Sequence, residues 1–199
     1  MRRLGRGLQA GLVDAHLWVG AAAAGLCLYA GSALGLPLRG GPPWVVFAAT
    51  VLIYGVDDIF DARGAPKRRS VARWAVPPAA VLLVVGLWQA PAHAVMVVAA
   101  GTVPCLAYAL PLCGRRLRDL AGVKPWFVTV ALTVGVVVVP LAWSSSAETR
   151  PDVAQVLRLA AILSGLVFCN VCLFDLGDRQ ADARCDVRTI PVRLGTTRT

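Results

Sequence analysis

The sequence predicts an all-α protein, a polytopic membrane bundle of six transmembrane helices that forms a single domain over residues 1–199. Hydrophobic residues make up 57% of the chain and charged residues only 16%, against about 25% charged residues in an average soluble domain. The mean hydropathy of +0.67 excludes a disordered chain, because disordered chains are poor in apolar residues. The apolar residues also fall into blocks of about 15–22, each long enough to cross most or all of a bilayer.

The six blocks define the predicted helices in chain order. They cover residues 15–35, 42–56, 71–90, 92–112, 123–143 and 153–174. The first block follows a basic start, but it is too long for a cleaved signal peptide and further spans follow it. The second block would cover only about 22 Å of a hydrocarbon core of about 30 Å. We therefore expect its helix to continue through the polar residues after Val56.

The basic residues predict the orientation in the membrane. Seventeen of the 20 Lys and Arg residues lie in the amino terminus, in the breaks after the second and fourth blocks, and in the tail. The positive-inside rule places these segments, and hence both termini, on the cytoplasmic side. In a bacterium this would be the cytoplasmic (inner) membrane. The net charge of +9 is then an orientation signal that also attracts anionic headgroups, so nucleic acid is not an expected partner.

Seven of the 11 acidic residues form two clusters at the ends of the second and sixth blocks, both on the predicted cytoplasmic side. The first cluster holds Asp57, Asp58 and Asp61, and the second holds Asp175, Asp178, Asp182 and Asp186. If the helices continue beyond the apolar blocks, the spacings place the carboxylates of each cluster on one helix face. Like charges so close together require a cation between them.

Carboxylate oxygens favour Mg²⁺, which commonly binds a few carboxylates together with substrate phosphates. The neighbouring basic residues would add charge-assisted hydrogen bonds to a phosphate. Acids beside a membrane span are usually solvated loop charges, but two such clusters beside basic segments favour a metal–diphosphate site. A transporter is disfavoured because the third to sixth blocks contain no acidic residue in their interior. Cys169 and Cys172 are interpreted as apolar filler, and His16 and His93 are given no role.

At these clusters the chain resembles the UbiA superfamily of membrane prenyltransferases. The family's first motif, Asn-Asp-x-x-Asp-x-x-x-Asp, corresponds to Asp57-Asp58-Ile-Phe-Asp61, with Ala65 at the last position. The family's second motif, Asp-x-x-Asp-x-x-x-Asp, corresponds to Asp175-Leu-Gly-Asp178-Arg-Gln-Ala-Asp182. It is followed by a sequence similar to the family's Gly-x-x-Thr-Leu-Pro-Val-x-Leu-Gly, running from Asp186 to Gly195. Tyr108 and the basic break before the fifth block are also similar to the family.

The resemblance implies Mg²⁺-dependent transfer of a prenyl group from an isoprenyl diphosphate to a lipophilic, often aromatic, acceptor. The implied metal ligands are Asp57, Asp58, Asp61, Asp178 and Asp182. The implied catalytic residues are Asp175, Asp178 and Asp182, with Asp175 as a direct or indirect metal partner or as a base on the acceptor. The implied diphosphate-binding residues are Arg63, Tyr108, Arg115, Arg116 and Lys124.

The chain also departs from the family pattern. Asp57 replaces the usual Asn, Leu112 stands where many members have Lys, and Asp186 stands where Gly is usual. Family members have nine transmembrane helices, whereas six are expected here. A second copy or a partner protein would then have to supply the remaining walls of the substrate cavity. Two alternatives therefore stay open. One is a UbiA-type terpene cyclase, and the other is a non-catalytic UbiA-like membrane protein.

Overall fold

The protein is described by a computed structural model covering residues 16–37, 41–60, 66–110, 117, 120, 122–144 and 151–184. The side chains of residues 66–68 and 177–184 lie outside the described part. Six helices occur in these ranges, and the bundle they form is entirely α-helical, as the sequence predicts. They are α1 (Leu17–Ala33), α2 (Gly41–Phe60), α3 (Pro66–Trp88), α4 (Ala92–Ala109), α5 (Val123–Trp143) and α6 (Val153–Arg184).

Five of the six described helices, α2 to α6, are long and apolar enough to cross a membrane. Helix α1 is apolar but has 17 residues, which span about 25 Å. Five of the six tryptophans support a membrane setting, because they lie near the ends of the helices, where interfacial aromatic residues concentrate. Trp126 and Trp143 near the two ends of α5 are separated by about 26 Å, close to the thickness of a hydrocarbon core. The chain is thus an integral membrane protein.

The helix boundaries confirm some predictions and correct others. Helix α5 matches its predicted bounds, and α2 continues through Asp57 and Asp58 as its short apolar block requires. Helix α6 extends to Arg184 and includes Asp175, Asp178 and Asp182. Helix α4 ends at Ala109, three residues before the predicted position. Leu110 is extended, the geometry that a following proline, here Pro111, favours.

Helix α3 begins earlier than predicted, at Pro66 rather than at residue 71. A proline suits the first position of a helix, and the Lys and Arg residues that follow it are good helix formers. The basic segment predicted as a loop is therefore partly the first turns of α3. Pro77 and Pro78 lie inside this helix, which is tolerated in transmembrane helices where neighbouring groups satisfy the freed carbonyls.

Helix α2 is central, since it contacts α1, α3, α4 and α5. It approaches α3 closely near both ends. A Cβ on Gly55 would lie 2.6 Å from Val76 Cγ2, and a Cβ on Gly86 would lie 2.7 Å from Val45 Cγ2. Small residues at such crossings allow the backbones of membrane helices to pack tightly.

Helix α6 packs mainly on α5, where Ser164 Oγ donates a hydrogen bond to Thr133 Oγ1 at 3.1 Å. Contacts between the end of one helix and the start of the next show that successive helices run up and down through the bundle. The C-terminal parts of α2, α4 and α6 therefore meet the N-terminal parts of α1, α3 and α5. We call this end, which contains Asp57, Asp58, Tyr108, Lys124 and Asp175, the aspartate end.

Candidate functional site

A cavity of about 510 Å³ lies between α2, α4 and α5. On α2 its wall runs from Val45 to Asp57, a distance of about 18 Å along the helix. Small and aliphatic residues, mostly valine and alanine, make up most of the wall. The cavity thus extends from the aspartate end deep into the bundle.

The cavity wall is polar at one end only. Thr50 and Thr102 lie deeper in the wall, but each hydroxyl donates a 2.7 Å hydrogen bond to a carbonyl of its own helix, four residues earlier. Their polarity is therefore satisfied internally. Tyr54, Asp57 and Tyr108 lie near the ends of α2 and α4, at the aspartate end. Such a cavity fits an amphiphile with a long apolar part and a polar head.

An aromatic pair lies in the wall near this polar end. The rings of Tyr108 from α4 and Phe127 from α5 are stacked, with centroids 4.2 Å apart and an interplanar angle of 3°. Tyr108 is buried. Because aromatic faces carry negative charge density, such a pair attracts a nearby cation.

Consecutive aspartates of the first cluster point in different directions. Asp57 lines the cavity, whereas Asp58 Oδ2 lies 2.8 Å from His16 Nε2 at the start of α1. Adjacent residues on a helix are turned by about 100°, which explains the separation. The His16 ring also lies on Tyr54, with centroids 5.2 Å apart.

His16 is a site residue that the sequence analysis missed. Its backbone is left-handed, with φ of 56°, an uncommon conformation for a side chain other than glycine, although histidine is enriched there. Residues that are held in such uncommon backbone conformations tend to occur at functional sites. No local sequence signal marks His16, because its partner Asp58 is 42 residues away.

The second cluster begins with a buried ion pair. Lys124 Nζ in the first turn of α5 donates a hydrogen bond of 2.5 Å to Asp175 Oδ1 on α6. The Asp175 side chain is 1% exposed, and that of Lys124 is 35% exposed. The second carboxylate oxygen, Oδ2, is also buried and has no hydrogen-bond partner within the described part of the chain. Asp175 thus retains one acceptor oxygen while Lys124 holds the other.

Tyr54 lies within electrostatic range of both Asp57 and Asp175. Asp57 on α2 and Asp175 on α6 therefore lie at the same end of the bundle, where Asp57 lines the mouth of the cavity. This proximity was expected from the similar positions of the clusters at the ends of even-numbered spans.

The structure locates five of the predicted site residues at the aspartate end: Asp57, Asp58, Tyr108, Lys124 and Asp175. Asp178 and Asp182 continue α6, but their side chains lie outside the described part. Asp61, Arg63, Arg115 and Arg116 lie outside the described residues altogether. Their predicted roles in metal and diphosphate binding stay predictions.

The donor chemistry of the described site suits a hard cation. Asp57, Asp58 and Asp175 carry three formal negative charges against the one positive charge of Lys124, which leaves −2 for these four side chains. An acidic cavity mouth would repel an anionic head unless a cation neutralised it, and carboxylates favour Mg²⁺. Within the described ranges there is no cluster of three or more metal-binding side chains. A complete Mg²⁺ site would therefore need carboxylates from the undescribed parts of the two clusters.

Comparison with known proteins adds no relative. Neither a protein-family model, nor a curated protein, nor a solved structure matches the chain. The UbiA resemblance consequently rests on the motifs of the sequence alone, and function has to be inferred from the site itself.

Proposed function

We propose that this protein binds an isoprenyl diphosphate and transfers its prenyl group, with Mg²⁺, to a lipophilic and possibly aromatic acceptor in the membrane. One observation carries the proposal. The cavity is apolar along most of its length and polar at the end of the bundle that holds Asp57 and Asp175. A prenyl tail suits the apolar part, and a metal-bound diphosphate suits the acidic mouth.

The residues proposed to hold Mg²⁺ are Asp57 at the cavity mouth, together with Asp61, Asp178 and Asp182. Asp58 would take part through the oxygen that His16 does not engage. When bound, the metal would neutralise the diphosphate and the charge that develops on it as it leaves. The acidic mouth by itself would repel the diphosphate, so we expect binding to depend strictly on the divalent cation.

The chain's own residues supply the rest of the reaction. The cavity wall would surround the prenyl tail and keep water away from the reacting carbon. As the carbon–oxygen bond to the diphosphate breaks, its electron pair leaves with the diphosphate and the allylic carbon becomes cationic. The stacked rings of Tyr108 and Phe127 near the mouth would stabilise that charge. The acceptor then donates an electron pair to the carbon and loses a proton.

Lys124 and Asp175 have linked roles in this scheme. Lys124 already donates to one Asp175 oxygen, so a diphosphate would have to share its ammonium group with that carboxylate. Asp175 Oδ2 is the oxygen left to accept a proton from the acceptor or to contact the metal. We therefore assign Lys124 first to positioning Asp175 and second to contacting the diphosphate.

The test is release of diphosphate. Purified protein in lipid nanodiscs would be incubated with radiolabelled farnesyl or geranylgeranyl diphosphate, Mg²⁺ and a panel of aromatic acceptors. We expect Mg²⁺-dependent release of diphosphate and a prenylated acceptor. Release with a cyclised hydrocarbon product in the absence of any acceptor would identify a terpene cyclase. Binding without release would identify a non-catalytic lipid-diphosphate protein, and absence of both would refute the proposal.

The orientation is proposed with the function. The basic residues favour a cytoplasmic aspartate end, beside the anionic headgroups of the cytoplasmic leaflet. In a bacterium, reporter domains fused after Met1 and after Thr199 should both report a cytoplasmic location. A reporter inserted at 145–150 should report the opposite side. If the two terminal reporters lay outside the cell, the proposed access of a cytoplasmic diphosphate would be wrong.

A further inference from the structure

We propose that Gly101 and Gly135 set the length of the apolar tail that the cavity accepts. This inference rests on the proposed function, because it specifies which isoprenyl ligands fit. Gly101 on α4 and Gly135 on α5 both line the cavity. A Cβ built on either residue would meet no heavy atom within 4 Å, so each glycine faces open space.

The two glycines lie at a similar depth. Gly101 is seven residues before Tyr108, and Gly135 is eight residues after Phe127, which places both about 10–12 Å along their helices from the aromatic pair. Beyond them the wall continues to Val97 and Val139. A larger side chain at either position would therefore enter the cavity part of the way along it, from one of two walls.

These positions differ from the glycines that serve helix packing. A Cβ added to Gly20, Gly55 or Gly86 would lie within 2.8 Å of a side-chain atom of a neighbouring helix, so these three glycines allow the helices to approach. Gly101 and Gly135 allow no such approach. Glycine inside a helix costs about 0.5–1 kcal/mol relative to alanine. In the absence of a ligand nothing near these two residues offsets that cost, whereas a tail passing between α4 and α5 would make use of the space.

The experiment uses Gly101→Leu and Gly135→Leu in the full chain, with Gly165→Leu as the matched control. Gly165 lies on α6, is also open to a Cβ, and does not line the cavity. Competition binding with Mg²⁺ would use geranyl, farnesyl, geranylgeranyl and longer polyprenyl diphosphates. Gly101→Ala and Gly135→Ala, which add only one methyl group, provide folded variants should the leucine variants fail to assemble.

We expect both cavity variants to lose about tenfold or more in affinity for the long ligands and less than about threefold for the shortest ligand. The control should keep the wild-type profile. The alanine variants should show the same trend at smaller amplitude. An equal loss for all tail lengths, or the same profile change in Gly165→Leu, would overturn the inference.

A parallel series with uncharged prenyl alcohols separates this inference from the proposed function. If the wild type binds the alcohols, and the glycine variants shorten the accepted tail, the length filter stands even where no diphosphate binds. If the wild type binds diphosphates and the variants leave the length profile unchanged, the proposed function stands and the glycine assignment fails.

Discussion

Asp58 and Asp175, one from each aspartate cluster, lie at the same end of the bundle but are held in different ways. Asp58 faces His16 at 2.8 Å, and both side chains keep some contact with solvent, at 14% and 17% exposure. Asp175 faces Lys124 at 2.5 Å and is 1% exposed. In each case the partner lies at the start of an odd-numbered helix and the acid lies near the end of an even-numbered one.

The difference separates the tasks of the clusters. In the first cluster, Asp58 is turned toward His16 at the start of α1, while Asp57 faces the cavity. In the second cluster the buried acid, Asp175, is itself held by Lys124. We interpret the first cluster as the face that meets the ligand and Lys124–Asp175 as the brace that fixes α5 against α6.

The sharpest test of this contrast is substitution of Asp57. Asp57→Ala removes the carboxylate at the cavity mouth, and we expect at least about a 100-fold loss of Mg²⁺-dependent affinity for farnesyl diphosphate. Asp57→Asn keeps an oxygen ligand, as in the family motif, and should stay within about tenfold of the wild type. Asp58→Ala should lose less than Asp57→Ala. Equal losses at the two positions would contradict the assignment of separate tasks.

The brace is tested by Lys124→Met. Removing one partner of a buried ion pair leaves the other charge uncompensated, which typically costs about 3–5 kcal/mol. Because Lys124 is about one-third exposed, we expect about 2 kcal/mol here, measured as a loss of unfolding free energy in mixed micelles. Asp175→Asn should be milder, since its amide fills the same space without a charge.

The double variant Lys124→Met with Asp175→Leu completes a thermodynamic cycle. It should recover more than half of the stability lost in Lys124→Met, because no buried charge remains. Additive losses in the double variant would mean that the two residues stabilise the bundle independently and that the pair is not a brace.

A smaller effect is expected at Gly122, which precedes α5 with φ of +78° and has no heavy atom near a Cβ. Gly122→Ala should destabilise the protein by about 1–2 kcal/mol through backbone strain alone. Gly122→Asn should cost less, because asparagine tolerates this conformation. Gly165→Ala, an open position within α6, should be neutral or stabilising. Similar effects of alanine at both glycines would show that strain at Gly122 does not help set the start of α5.

Much of the fold follows from the sequence, for identifiable reasons. The apolar block and the flanking Gly122 and Ser144 define α5, and the shortness of the second apolar block implies that α2 extends through Asp57. The early end of α4 also has a signal in the sequence, because Pro111 disfavours helical geometry at Leu110. At this position the proline predicts the end of the helix better than the extent of the apolar block does.

The contacts within the site could be predicted less well from the sequence. The sequence places Lys124 and Asp175 on the same side, but the rotation of α5 against α6 decides whether the two side chains meet. Likewise, a helical spacing cannot tell that Asp57 faces a cavity while Asp58 faces α1. Gly101 and Gly135 resemble ordinary membrane-helix glycines in sequence, and only their position in the cavity wall distinguishes them.

Effects of similar size are expected at His16, where backbone strain and hydrogen bonding can be separated. His16→Ala loses the bond to Asp58 but keeps the left-handed backbone, so we expect a loss of about 1–2 kcal/mol in stability. His16→Gly loses the same bond but relieves the strain, and it should be less destabilising by about 0.5–1 kcal/mol.

Both variants should weaken Mg²⁺-dependent diphosphate binding by a few-fold, because Asp58 loses the group that orients it. His16→Asn, which tolerates the backbone and keeps a hydrogen-bonding side chain, should recover part of that binding. Unchanged diphosphate binding in His16→Gly would show that the contact with Asp58 only fixes the start of α1. In that event Asp57 would contact the ligand without help from Asp58. The first cluster would then differ from the second, in which Lys124 holds Asp175, even more than proposed.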